Sequence, residues 1–211
     1  MASLSDSVRL IVITDHQRWS EAHIAQRVTT ICQSAAAHSV VVQLRDRELS
    51  EVERLRIGQR LRHITRQTQQ GFVVSERVDL AVLLEADGVA LPESGIPPTD
   101  ARALLVRKGI ATPWISCAWH DVARPPDTEA TVCVLSPIAE ARKDRAALGL
   151  DQLACFREQL PVAQRLFALG GISTSNAAAC LAAGAQGVAV MGAAFDADPL
   201  LLLRALDIVR H

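Results

Sequence analysis

Two pairs of residues that could bind phosphate occur late in the chain, each beside an apolar run. Gly170 and Gly171 follow the run at residues 166–169, and Met191 and Gly192 stand at the end of the next apolar run. A residue without Cβ lets backbone N–H groups approach an anion, and a helix N-terminus adds partial positive charge. The pattern predicts a phosphate site at these two turns. The alternative is that the glycines only permit tight turns.

One histidine is placed to carry a proton. His120 follows a predicted strand at residues 114–117. Imidazole is the side chain whose ordinary titration falls closest to neutral pH, which suits it to both accept and donate a proton. We expect a catalytic role for His120, with a packing or surface role as the alternative. That alternative fits the remaining histidines, which are on predicted helices or near the termini: His16, His23, His38, His63 and His211.

The elements that must position these residues alternate regularly along the chain. Apolar runs that fit buried strands occur at residues 8–14, 40–44, 71–75, 88–91, 114–117, 131–135, 166–169 and 187–191. Amphipathic or alanine-rich segments that fit helices lie between most of them. The order predicts an α/β protein with a single (β/α)8 TIM barrel domain over residues 1–211. Pro125 and Pro126 leave room for at most one turn, so a shortened or missing fifth helix is expected.

Composition excludes several classes of function. Hydrophobic residues make up 49% of the chain and charged residues 21%, with a net charge of −1. No basic field for nucleic acid is present, so no nucleic-acid partner is expected. The first residues lack the apolar segment of a secretory signal, and no apolar run approaches a membrane span. We therefore predict a cytoplasmic protein that does not bind membranes. The five cysteines are scattered without a CxxC pair, which favours free thiols.

Four stretches of the sequence carry a family resemblance. GGISTSNAAACLAAGAQGVAVM, SERVDLAVLLEADGVALP, VVVQLRDREL and LIVITD together resemble the thiamine phosphate synthase and TenI superfamily. The resemblance implies a (β/α)8 barrel whose partner is a small phosphorylated thiazole. It also implies that Gln43 and Arg45 line the pocket, that Lys143 is the family's loop lysine, and that Ser136 contacts phosphate or substrate. For Gln43 and Arg45 the alternative is a solvated polar cluster.

The synthase branch of this superfamily joins a pyrimidine diphosphate to a thiazole phosphate and needs a divalent metal. Its pattern has Asn-Asp where this sequence has Ser75 and Glu76. Its His-x-Gly-Gln-x-Asp loop is here ALPESG, so one metal-binding carboxylate has become Gly95 and the glutamine has become Glu93. Of the two metal-binding carboxylates in the synthase pattern, the resemblance therefore retains one, as Glu76. Mg²⁺ is expected only if the protein is a synthase.

The TenI branch is similar at Leu91-Pro92, at His120 and around Phe195. We therefore predict a TenI-like thiazole tautomerase, an isomerase that aromatises a carboxythiazole phosphate by metal-independent proton transfer and uses no cofactor. The first alternative is a thiamine-phosphate synthase. The second is a non-catalytic protein that binds thiazole or thiamine phosphate. The missing helix also suggests an apolar strip that a second copy could cover in a homodimer.

Overall fold

The computed structural model describes residues 4–45, 48–124, 129–142 and 144–210. The strands are β1 (Leu10–Ile13), β2 (Val40–Leu44), β3 (Gly71–Ser75), β4 (Gly88–Leu91), β5 (Trp114–Trp119), β6 (Val132–Leu135), β7 (Arg165–Leu169) and β8 (Gly187–Val190). The helices are α1 (Leu4–Ser7), α2 (Glu21–Ser34), α3 (Glu51–Gln67), α4 (Val78–Leu83), α5 (Pro98–Arg107), α6 (Gly149–Gln159), α7 (Ala177–Ala182), α8 (Gly192–Phe195) and α9 (Pro199–Ala205). The strands run parallel and close into a barrel in chain order, with β8 paired to β1. The predicted α/β barrel is confirmed, whereas a single domain over residues 1–211 stays a prediction.

Strand residues alternate between two hydrophobic clusters because successive side chains point to opposite faces. On β1, Leu10 and Val12 pack towards the helices, while Ile11 and Ile13 belong to a second cluster inside the barrel. This inner cluster consists of Val8, Ile11, Ile13, Val41, Val73, Ala90, Trp114, Val132, Val134, Phe167 and Ala189. Since bulky side chains fill the interior, the barrel is a packed core rather than a pore.

The amino-terminal end of the barrel is closed by a buried arginine. Arg165 is only 8% exposed and donates hydrogen bonds to the carbonyl oxygens of Val8 and Gln186. Its guanidinium also lies 5.1 Å from the ring centroid of Phe167. Burial lowers the pKa of this guanidinium to about 10. Because a buried side chain fills this end, we expect a ligand to bind at the carboxyl end of the strands.

The connection from β5 to β6 departs from the helical pattern of the rest. Within the described residues 120–124 and 129–131 it contains no helix, in agreement with the predicted shortened or missing fifth helix. The indole Nε1 of Trp119 donates to the carbonyl oxygens of Asp121 and Arg124, at 2.7 and 2.8 Å. One aromatic side chain thus holds the start of this connection against the barrel. β5 also extends two residues beyond its predicted end, because Trp119 pairs with Leu135 of β6.

The carboxyl end of α2 and the amino end of α3 differ in how far the local sequence determines the helix boundary. α2 ends at Ser34 rather than near residue 37, because Ala35 is extended and bridges to Val209. α3 begins at a capping box in which Ser50 and Glu53 exchange hydrogen bonds, as its sequence favours. None of the described helices combines the length and apolar character that a bilayer crossing requires.

Candidate functional site

Most of the predicted site residues meet at one edge of the barrel. Because the strands are parallel, their carboxyl ends share one rim, which we call the mouth. Each of these residues lies within two positions of a strand's carboxyl end: Gln43 and Arg45 at β2, His120 at β5, Ser136 at β6, Gly170 and Gly171 at β7, and Met191 and Gly192 at β8. Lys143 lies outside the described residues.

The glycine pair after β7 is required by the backbone itself. Gly170 and Gly171 have φ angles of +98° and +69°, which side-chain-bearing residues rarely adopt. A Cβ on Gly170 would come within 2.9 Å of Pro137 Cα, and one on Gly171 within 2.5 Å of Glu140 Cβ. The tight-turn interpretation therefore explains both glycines. Phosphate binding at this turn is compatible with it, since neither amide donates a hydrogen bond to another described residue.

An asparagine shapes the turn that follows. Asn176 accepts a hydrogen bond from the amide of Ser173 at 2.8 Å and donates one to the carbonyl of Gly171 at 2.9 Å. Both bonds fold the segment back towards the strand end. The amide of Ser173 is thereby used, whereas the amides of the glycine pair stay available to an anion at this turn.

The second turn, after β8, has different constraints. Gly192 does not have a positive φ, and a Cβ there would meet Asp196 Oδ2 at 3.3 Å, a tight but adjustable contact. The Asp196 carboxylate accepts hydrogen bonds from Arg18 Nη2 at 3.2 Å and Trp19 Nε1 at 2.9 Å. The neighbouring guanidinium of Arg18 therefore offsets the negative charge of Asp196 at this turn. β7 and β8 are adjacent, so the two glycine turns lie side by side at the mouth.

Gln43 and Arg45, at the carboxyl end of β2, differ in which of their groups are hydrogen-bonded. Gln43 Nε2 donates to Ser75 Oγ at 2.8 Å, across the β2–β3 pair. The alternation of β2 turns Gln43 to the same face as Val41, which belongs to the inner cluster. The backbone amide of Arg45 donates to Thr14 Oγ1 at 3.2 Å, and its guanidinium has no partner among the described residues. An arginine held by its backbone with an unengaged fork of donors can bind phosphate or carboxylate.

His120 is paired with a carboxylate. Its Nδ1 lies 2.8 Å from Glu93 Oε2, and the two side chains are 24% and 28% exposed. Glu93 follows β4 and His120 follows β5, so the parallel pairing of these strands brings them together. The other nitrogen, Nε2, is not buried and has no hydrogen-bond partner in the described part of the chain. This imidazole can exchange a proton or donate a hydrogen bond.

Ser136 stands at the end of β6, where its peptide bond to Pro137 is cis. Its backbone amide donates to the carbonyl of Trp119 at 3.0 Å, which ties β6 to the start of the loop that carries His120. The side chain is half-buried and makes no recorded hydrogen bond among the described residues. Whether it contacts a ligand stays a prediction.

The described residues do not build the two-carboxylate magnesium site that the synthase branch implies. Hard cations take several oxygen ligands, usually including carboxylates. Among the described residues no group of three His, Cys, Asp or Glu side chains could hold a metal ion. Glu76 follows β3 with a φ of +64°, Gly95 offers no side chain, and the carboxylate of Glu93 is engaged by His120.

The buried thiols do not provide a nucleophile. Burial raises the pKa of Cys32 to about 12. Burial also raises the pKa of Cys133, with smaller contributions from Cys117 and Glu93. A thiol that stays protonated is a poor nucleophile and metal ligand. The five cysteines are free, as predicted, and Cys155 is the exposed one.

Comparison with known proteins gives the family. Residues 10–194 match the family described as "Thiamine monophosphate synthase" (TMP-TENI). This chain belongs to the thiamine monophosphate synthase (TMP-TENI) family. "Thiamine-phosphate synthase" of Roseiflexus sp. is 33% identical over 205 residues, covering 94% of this chain and 83% of that protein. "Thiamine-phosphate synthase" of Moorella thermoacetica is 32% identical over 166 residues, 77% of each chain.

A solved structure agrees with these relatives. Thiamine phosphate pyrophosphorylase from Pyrococcus furiosus superimposes with a TM-score of 0.79 at 25% identity and covers 97% of this chain and 96% of that one. The prediction of a TenI-like thiazole tautomerase is therefore wrong. The similar proteins carry the synthase name, and nothing among these comparisons favours the TenI branch. The departures at Glu76 and Gly95 affect two positions, whereas the similarity to the synthases extends over nearly the whole chain.

Three contacts at the mouth escape prediction from the sequence. Glu93 was recognised as a departure from the synthase pattern, but its bond to His120 depends on how two loops approach each other. The bond of Ser75 to Gln43 depends on strand register. Asp196 and Arg18 are 178 positions apart, so their ion pair leaves no local signal.

A depression of about 380 Å³ lies at the opposite end of the barrel, lined by residues that include Arg102, Thr112 and Glu129. Arg102 donates there to the carbonyl of Glu129 and to Thr131 Oγ1, both at 3.1 Å. These bonds hold α5 against the residues that lead into β6. The depression contains none of the predicted site residues.

Proposed function

We propose that this chain is a thiamine-phosphate synthase, a transferase that joins hydroxymethylpyrimidine diphosphate to a thiazole phosphate and releases pyrophosphate. The observation that carries the proposal is the similarity of nearly the whole chain to relatives that bear this name. The mouth supports it, because the reaction needs two anion sites and the rim supplies two kinds of anion-binding group. Backbone amides at the ends of β7 and β8 are one kind, and the guanidinium of Arg45, at the end of β2 two strands further round the barrel, is the other.

The glycine turns after β7 and β8 suit the phosphate of the thiazole substrate. Adjacent turns can direct several N–H groups at one anion without a side chain between them. Met191 and Leu169 pack on the inner cluster below, which gives the heterocycle an apolar floor. Phosphate binding by Gly170, Gly171, Met191 and Gly192 is thus part of the proposal.

Arg45 and His120 suit the diphosphate of the pyrimidine substrate. A guanidinium gives paired, charge-assisted hydrogen bonds to phosphate oxygens, and the unengaged Nε2 of His120 adds a further donor when the ring is protonated. Gln43 can offer an amide to the pyrimidine once its bond to Ser75 exchanges. Ser136 and Lys143 are assigned to the same pocket only through the family resemblance.

The chemistry consists of one bond broken and one bond made. The carbon–oxygen bond to the diphosphate breaks with its electron pair on oxygen, and the thiazole nitrogen forms a bond to the same carbon. Positioning two substrates in one closed mouth supplies much of the rate, because it replaces a bimolecular encounter in water. No step is assigned to a metal ion, since the described residues do not fit one.

The test is product formation by the purified protein. Both substrates together should yield pyrophosphate and thiamine phosphate in equal amounts, and omission of either substrate should yield neither. Arg45→Ala should raise KM for the diphosphate by about tenfold or more, as expected when a charge-assisted hydrogen bond is lost. Calorimetric binding of both substrates without any turnover would instead favour the non-catalytic alternative. The homodimer also stays a prediction, which sedimentation can check.

A further inference from the structure

The carboxylate of Glu93 determines which nitrogen of His120 is free to exchange a proton with a ligand. An ionised carboxylate can only accept hydrogen bonds, so the nitrogen 2.8 Å from it, Nδ1, must carry a hydrogen. The reactive nitrogen is then Nε2, which is not buried and is unpartnered in the described part of the chain. A carboxylate that fixes the tautomer and the ring orientation in this way is a common support for an acid–base histidine.

Both partners of this pair are held by their own elements. The register between β4 and β5 places Leu91 beside Cys117, which sets the two following loops next to each other. Beyond His120, the indole of Trp119 holds the carbonyl oxygens of the next residues. Glu93 thus holds the ring through Nδ1, and Trp119 holds the backbone that follows it, which leaves Nε2 as the exposed nitrogen of a positioned ring.

We propose that the pair formed by Glu93 and His120 protonates the departing pyrophosphate. The inference rests on the proposed synthase function and adds a role for two residues of that same mouth. His120 is the catalytic residue, because it meets the reacting oxygen. Glu93 is a positioning residue that acts through His120.

The proton moves from His120 to the leaving diphosphate as the carbon–oxygen bond breaks. As the carbon–oxygen bond breaks, its electron pair moves to the diphosphate oxygen, and the proton on Nε2 of the imidazolium transfers to that oxygen. The thiazole nitrogen uses its lone pair to bond the carbon and becomes a cationic ring nitrogen. The imidazole is left neutral with its hydrogen on Nδ1, still donating to Glu93, and it regains a proton from water after product release.

A change of leaving group separates this role from a structural one. Bromide accepts the electron pair without needing a proton, so the bromomethyl analogue of the pyrimidine substrate bypasses the proposed step. His120→Asn should lower kcat with the diphosphate about a hundredfold, the lower end of the usual range for general acid catalysis. Glu93→Gln should lower it by less, about tenfold, because the imidazole remains but loses the carboxylate that orients it. With the bromide, corrected for the uncatalysed rate, both variants should stay within about twofold of the unmodified protein.

Glu158→Gln is the matched control, because Glu158 is exposed on α6 and makes no recorded contact at the mouth. It should leave both rates unchanged. An equal loss on both substrates in the two mouth variants would overturn the inference, since it would indicate a packing role. So would unchanged rates with the diphosphate. If the unmodified protein turns over neither substrate, it is the proposed function that fails.

Nitrogen NMR of His120 tests the pair without any turnover. The expected spectrum has hydrogen on Nδ1 in the neutral ring, with Nε2 bare. Glu93→Gln should give a mixture of tautomers, because an amide can either accept or donate. A neutral ring with hydrogen on Nε2 alone in the unmodified protein would overturn the inference.

Discussion

Replacing Gly170 by alanine should destabilise the barrel more than the same change at Gly109. The two glycines have nearly equal φ angles, +98° and +96°. A Cβ on Gly170 would lie 2.9 Å from Pro137 Cα, whereas one on Gly109 would have nothing within 4 Å. Gly109→Ala therefore measures the cost of the backbone conformation alone, and Gly170→Ala adds the cost of the contact.

The magnitudes follow from these two contributions. A left-handed backbone costs a side-chain-bearing residue about 1–2 kcal/mol. Forcing extra volume against fixed neighbours adds about 1–3 kcal/mol, and here the neighbour is backbone, which cannot rotate away. We therefore expect Gly109→Ala to lower the free energy of unfolding by about 1–2 kcal/mol and Gly170→Ala by about 2–5 kcal/mol.

Urea unfolding followed by circular dichroism measures both values, provided that the two variants keep the same m-value. The difference between them is the quantity of interest, because errors of extrapolation largely cancel. If Gly170→Ala costs no more than Gly109→Ala, the loop at residues 137–140 does not pack against the strand end as described. The structural reason for the glycine turn would then be wrong.

Three further predictions concern stability and reactivity. Asp87→Ala should lower the free energy of unfolding by about 2–3 kcal/mol in urea, because it leaves the half-buried guanidinium of Arg62 without its carboxylate partner. That carboxylate accepts two hydrogen bonds from Arg62, at 2.8 and 3.1 Å. A loss below about 0.5 kcal/mol would contradict this. In the native protein a thiol reagent should modify Cys155 quickly and the buried thiols only on unfolding, so Cys155→Ser should abolish the fast phase. Arg77 lowers the pKa of the Asp79 carboxyl to about 2, so the pair stabilises the fold above about pH 4 and this contribution is lost as the pH falls through 2. Because Asp79 is largely exposed, the effect should stay below about 1 kcal/mol, and Asp79→Asn should match the unmodified protein near pH 2 but not near pH 5.

The barrel was predictable because its signals are local and repeated. Buried runs such as residues 40–44 and the alternation with amphipathic segments predict a parallel α/β order, and two prolines predict a shortened or missing fifth helix, in agreement with the described residues 120–124 and 129–131. Helix ends were less predictable: α2 stops early because Ala35 bridges to Val209, a partner 174 positions away. Short elements such as α1 and α8 carry too few residues to show a period.

The site was predictable only as a set of strand ends. His120, Gln43 and the glycines could be placed at one rim, because every parallel strand brings its carboxyl end there. Their partners could not be read from the sequence, since the contacts of His120 with Glu93 and of Gln43 with Ser75 depend on strand register. The synthase branch of the family could not be recognised from single positions either. Substitutions at Glu76 and Gly95 indicate a changed metal site but do not define the reaction.

The central claim is that this mouth joins two phosphorylated heterocycles. A single-turnover experiment with the protein in excess over both substrates tests it most directly, because even slow chemistry then becomes visible. We expect pyrophosphate and thiamine phosphate to appear together, at one rate and in equal amounts. Intact substrates after prolonged incubation, with both shown to bind, would contradict it.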